Sequence, residues 1–120
     1  MSIIIKILGT LVALEYFYIL YLETFATASK LTAKVFNQTQ EELRRPTVNT
    51  LLKNQGVYNG LIGGLIFLAI FLYGSQPALM LLMIYTVLVA IYGGITSNPK
   101  IILLQGGVAM ITLIAILLGL

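Results

Sequence analysis

Ile3-Ile4-Ile5-Lys6-Ile7-Leu8-Gly9-Thr10-Leu11-Val12-Ala13-Leu14-Glu15-Tyr16-Phe17-Tyr18-Ile19-Leu20-Tyr21-Leu22-Glu23 is an apolar run long enough to cross a bilayer. A membrane helix needs about 20 mostly apolar residues. This one carries a carboxyl group, Glu15, well inside it. At such depth a carboxyl costs on the order of a few kcal/mol unless it is neutral, paired or hydrated. The stretch therefore decides two matters together. It makes the chain a membrane protein, and it marks Glu15 as the residue whose presence needs a reason.

The remaining composition agrees. Of 120 residues, 59% are hydrophobic and 9% charged, whereas soluble domains are about a quarter charged. A water-soluble fold of this size cannot hide so much apolar surface. The absence of Cys excludes disulfides, thiolate nucleophiles and Cys-held metal. The absence of His removes the usual proton shuttle and the commonest metal ligand. A Ser-His or Cys-His pair is thus impossible within the chain, and neither a cofactor nor a metal is implied. The net charge of +3 comes from cations clustered in one connection, a pattern that membrane topology explains better than nucleic-acid binding. Lys6, the apolar run and Ala26-Thr27-Ala28 imitate a secretory signal with its cleavage site. The carboxylate inside the hydrophobic region argues for a retained span instead.

An all-α, polytopic membrane protein is expected, with helices over 3–23, 47–73, 77–96 and 100–119 forming one antiparallel four-helix domain. Residues 24–46 form the long connection. Leu31, Val35 and Phe36 give it the makings of a short amphipathic turn on the membrane surface. Pro46 suits the first turn of the second helix, where its missing N–H does no harm. That helix would enter the hydrocarbon near Asn54. The other connections, Tyr73-Gly74-Ser75-Gln76-Pro77 and Ser97-Asn98-Pro99-Lys100, are tight turns punctuated by Gly and Pro. Lys30, Lys34, Arg44, Arg45, Lys53 and Lys100 lie on one side and only Lys6 on the other. The positive-inside rule places that basic side in the cytoplasm and both termini outside a plasma or inner membrane.

The polar residues converge in depth. In the second helix, Asn54, Gln55, Tyr58 and Asn59 share an arc of roughly 140° at about 100° per residue. Gly56, Gly60, Gly63 and Gly64 are expected on the opposite side, as a small-xxx-small face for close helix packing. That face admits either a helix of the same chain or a second copy in a homodimer. Tyr92 and Thr96 share a face of the third helix, and Gln105 lies near the start of the fourth. Glu23 lies about 12 Å along the helix from Glu15, and Tyr18 falls between them. The simplest construction is a polar pocket open to the cytoplasm, with Glu15 at its floor and Glu23 at its mouth. Gln55, Tyr58, Asn59 or Gln105 would be hydrogen-bonded to Glu15. The bland alternative is a structural plug, with Glu15 bonded to Asn59 or Gln55 and no ligand. Gln55-Gly56-Val57 and Gln105-Gly106-Gly107-Val108 form a weak internal echo fifty residues apart.

Three segments carry a resemblance: Ala13-Leu14-Glu15 with Tyr21-Leu22-Glu23; Asn54-Gln55-Gly56-Val57-Tyr58-Asn59-Gly60; and Tyr92-Gly93-Gly94-Ile95-Thr96 with Gln105-Gly106. Together they resemble a family of short bacterial four-helix membrane proteins, domain of unknown function 1304. The resemblance covers nearly the whole chain and implies a fold and site residues, but no activity. Members often have His after the first Glu and Pro after the second Gln-Gly pair; Tyr16 and Gly107-Val108 stand here.

Three functions fit these residues. The first is binding or transport of a small polar or cationic solute, with Glu15 exchanging a proton for it. Four helices with one carboxylate in the first is similar, by architecture alone, to small multidrug-resistance transporters. The long basic connection is unlike their short links. The second is an enzyme acting on a lipid-like substrate, with Glu15 and Glu23 as acid and base. The third is a non-catalytic accessory subunit docked through the glycine face.

Overall fold

The structure is a computed structural model describing Met1–Leu120. It is all-helical, as the composition requires. Helix α1 runs over Ile3–Leu20 and widens into a π-helical turn at Tyr21–Phe25. Two short helices follow, α2 (Lys30–Phe36) and α3 (Gln40–Arg44). Helix α4 (Pro46–Phe67) also ends in a π-helical turn, Leu68–Leu72. Helices α5 (Gln76–Thr96) and α6 (Lys100–Leu117) complete the chain. Four of these helices are long and apolar enough to span a membrane: Ile3–Phe25, Pro46–Leu72, Gln76–Thr96 and Lys100–Leu117. Leu61, Leu81, Leu88 and Leu103 are each more than 60% exposed. Such outward-facing apolar side chains suit hydrocarbon rather than water.

The chain divides into two compact units. One comprises Met1–Glu15 and Gly63–Leu120. Its α5–α6 hairpin is packed in an antiparallel register fixed by glycines. Gly94 lies under the side chain of Ile102, and a Cβ on Gly106 would come within 2.9 Å of Ala90. In the same unit, a Cβ on Gly9 would meet Ile70 at 2.8 Å and Leu79 at 3.3 Å. The buried Thr112 donates its hydroxyl to its own helix, to Val108 O at 2.7 Å. That is how a hydroxyl is satisfied in an apolar helix.

The turn between α4 and α5 shows why its sequence reads as punctuation. Tyr73 N–H closes the π turn on Leu68 O at 2.9 Å. Gly74 then takes φ +57°, a left-handed conformation that glycine adopts without penalty. Ser75 caps α5, its Oγ accepting from Ala78 N–H at 3.2 Å, with Pro77 in the first turn.

The second unit, Tyr16–Ile62, holds the end of α1, the short helices and the first half of α4. The connection expected as a loop over 24–46 is largely helical. Ser29 and Thr39 make it so: each hydroxyl accepts the N–H three residues on, Thr32 and Glu42 respectively, at 3.1 Å. Asn37, at φ 55°, ends α2 in the left-handed conformation that Asn tolerates.

Candidate functional site

A helix end leaves its last carbonyls without partners, and the end of α1 solves this with threonines. The π turn closes by Ala26 N–H on Tyr21 O at 2.9 Å. Thr32 Oγ1 lies 2.9 Å from Leu22 O and 2.7 Å from Ala26 O. Thr27 Oγ1 donates to Glu23 O at 2.8 Å, with Thr24 O also in reach at 3.2 Å. Thr24 Oγ1 crosses to Lys53 O on α4 at 2.9 Å. These bonds tie the π turn to α2 and α4, and the turn carries Glu23.

Glu23 is fully buried. Gln55 Nε2 donates to its Oε2 and Asn59 Nδ2 to its Oε1, each at 2.7 Å. One amide per oxygen, from consecutive turns of α4, makes a clasp of short bonds to one carboxyl group. The neighbouring Gly56 allows it. A Cβ there would strike Thr24 Oγ1, and would also meet Glu23 Cβ at 2.9 Å and Thr24 N at 3.0 Å. One turn on, a Cβ at Gly60 would meet Leu20 at 2.7 Å. These contacts give an antiparallel register in which residues 20 and 24 face 60 and 56.

That register corrects two expectations. The amides of Gln55 and Asn59, assigned to Glu15, are taken by Glu23. In the other unit the contact of Gly9 with Ile70 puts Glu15 level with about residue 64. Glycine and amide faces are also not opposite. Gln55 and Asn59 border Gly56 and Gly60, and all four address the same stretch of α1. The glycines at 56 and 60 are therefore covered by the chain itself. Gly63 is buried, and Gly64 has no atom within 4 Å of where its Cβ would be.

Of the expected site residues, Gln55 and Asn59 are the ones that donate to Glu23. Asn54, Tyr58, Tyr18 and Tyr92 are exposed. Thr96 is exposed and donates to Tyr92 O in its own helix at 2.8 Å. Gln105 is half-buried in α6. Glu15 is half-buried in α1, and its Oε2 is buried without a hydrogen-bond donor. Sequence reasoning missed Thr24, Thr27 and Thr32. Their clustering just past a membrane helix was the available signal, since hydroxyls there can satisfy free carbonyls.

The glycine contacts yield a matched pair of expected outcomes. Gly56→Ala should destabilise the protein by about 1–3 kcal/mol, because the backbone of Thr24 must move. Gly64→Ala meets open space and should be neutral or slightly stabilising. Thermal unfolding in detergent compares them, and equal melting of both variants would refute the close approach at Gly56.

A family model described as "Protein of unknown function (DUF1304)" matches residues 10–117. The chain is 59% identical over 116 residues to "Uncharacterized protein YpaA" of Lactococcus lactis subsp. lactis (strain IL1403), covering 96% of this chain and 98% of that protein. No solved structure matches.

Proposed function

The chain belongs to the DUF1304 family, a family of unknown function, and from its own polar groups we propose that it binds a small polar or cationic solute and carries it across the membrane, with Glu15 exchanging a proton for it. The observation that supports this is the buried Oε2 of Glu15, which has no donor. An acceptor buried without a partner costs about 1–3 kcal/mol, more when charged. A proton or a cationic ligand removes that cost, and the two compete for the same oxygen. Glu23 differs: both its oxygens already receive amide hydrogens. It is the fixed pin of the helix pair, and Glu15 is the exchanging group. This division also weakens the reading as a lipid enzyme, in which Glu23 would have to gain and lose protons in mid-reaction.

The test is uptake into proteoliposomes of radiolabelled methylammonium and tetraethylammonium under an imposed pH gradient. Gradient-driven uptake of either by the wild type, lost in Glu15→Gln, is the expected result. Uptake no faster than in protein-free vesicles for both probes, or full uptake by Glu15→Gln, would overturn the proposal.

The proposed orientation has both termini outside and the connection of α2 and α3 in the cytoplasm, following the six-to-one distribution of Lys and Arg. The native chain has no Cys, so single cysteines report cleanly. In intact cells a membrane-impermeant thiol reagent should label Ser75→Cys and spare Lys34→Cys. The reverse pattern would invert the topology.

A further inference from the structure

We propose that α2 is an interfacial element whose outer face binds the phosphate headgroups of anionic lipids, independently of exchange at Glu15. Two faces of this helix are distinguished by what holds them. Thr32 and Ala33 are buried, and the Thr32 hydroxyl is fastened to Leu22 O and Ala26 O at the end of α1. Ser29 Oγ in turn lies 3.0 Å from Thr32 Oγ1. The helix therefore has a fixed rotation about its axis. Its opposite face presents Lys30, Leu31 and Lys34, all exposed, within an arc of about 100° by helical spacing.

Lys30 and Lys34 are one turn apart, so their ammonium groups reach the same neighbourhood, about 6 Å across. Neither has an acidic partner: the salt bridge of this connection joins Arg45 to Glu42 at 2.8 Å. On the same face Leu31 is 46% exposed, and Phe25, at the end of the first span, is 74% exposed. Cations and apolar groups side by side are matched by one surface above others, the boundary between phosphate headgroups and acyl chains. The helix also stands at that level, since α2 begins five residues after the first span ends at Phe25. An acidic protein partner would match the lysines but leave Phe25 and Leu31 without a reason. Anionic phospholipid is therefore the occupant.

Native mass spectrometry of the detergent-purified protein tests this, with phosphatidylglycerol and phosphatidylcholine of identical acyl chains as probes. Each lysine near an anionic surface is worth about a fivefold change in affinity. Wild type should retain phosphatidylglycerol over phosphatidylcholine. The double variant Lys30→Gln, Lys34→Gln should lose about tenfold or more of that preference, and Leu31→Ser should weaken both lipids. Lys6→Gln, in the apolar run at the start of α1, should behave as wild type. Phosphatidylglycerol binding by wild type should also weaken at high salt, which checks the proposal without relying on a variant that folds. Equal retention of the two lipids, salt-insensitive binding, or an unchanged double variant would overturn it.

Discussion

Glu23→Ala is expected to loosen the pairing of α1 with α4 and lower stability by about 1–3 kcal/mol. Interhelical hydrogen bonds in membrane proteins average about 0.6 kcal/mol each and reach about 1.7, and Glu23 accepts two short ones. The estimate belongs at the upper end for two reasons. Glu23 is fully buried, so its removal leaves a cavity. The amides of Gln55 and Asn59 would also lose their acceptor. Glu23→Gln should be milder, because a carboxamide can accept from one amide and donate to the other after that amide flips. The triple change Glu23→Leu, Gln55→Leu, Asn59→Leu should recover part of the loss, since replacing both partners by apolar groups leaves nothing unsatisfied. Thermal melts in detergent read all three. A Glu23→Ala protein as stable as wild type would show that the clasp contributes nothing.

For Glu15→Gln the expectation is reversed: function lost, fold retained. No donor in the protein is committed to its Oε2, so the amide breaks no native bond there. Stability should change by less than about 0.5 kcal/mol, the range of substitutions away from structural features. Solute-driven exchange should fall by about a hundredfold or more, the low end of what a positioned proton-transfer group contributes. Melting and uptake measured on the same preparation separate the two carboxyls. A Glu15→Gln protein that melts like wild type and keeps full exchange would instead make Glu15 a structural plug.

The sequence carried the fold class because hydrophobicity needs no tertiary information: four apolar stretches bounded by Pro46, Gly74-Ser75 and Asn98-Pro99 read directly as helices. Glu15, Glu23, Gln55 and Asn59 were also legible as unusual residues, by the cost of polar groups in hydrocarbon. Their pairing was not. Which carboxyl meets which amide depends on the register of two helices, and that register is set by the backbone approach at Gly56 and Gly60. A reading by depth alone cannot distinguish Glu15 from Glu23 at a resolution of two turns. The π turn at Tyr21–Phe25 adds to this, because it changes where Glu23 points relative to an ideal helix. Asn54 and Tyr58 illustrate the converse error: sharing an arc with Gln55 and Asn59 did not bring them to the same neighbour.

Proton release on ligand addition tests the central claim most directly. Purified protein in weakly buffered detergent solution would be titrated with tetraethylammonium or methylammonium while a pH indicator follows the medium. If a cation displaces the proton of Glu15, wild type and Glu23→Gln should both release protons in proportion to bound cation, and Glu15→Gln should release none. Release undiminished in Glu15→Gln, or cation binding by wild type without any release, would contradict the account.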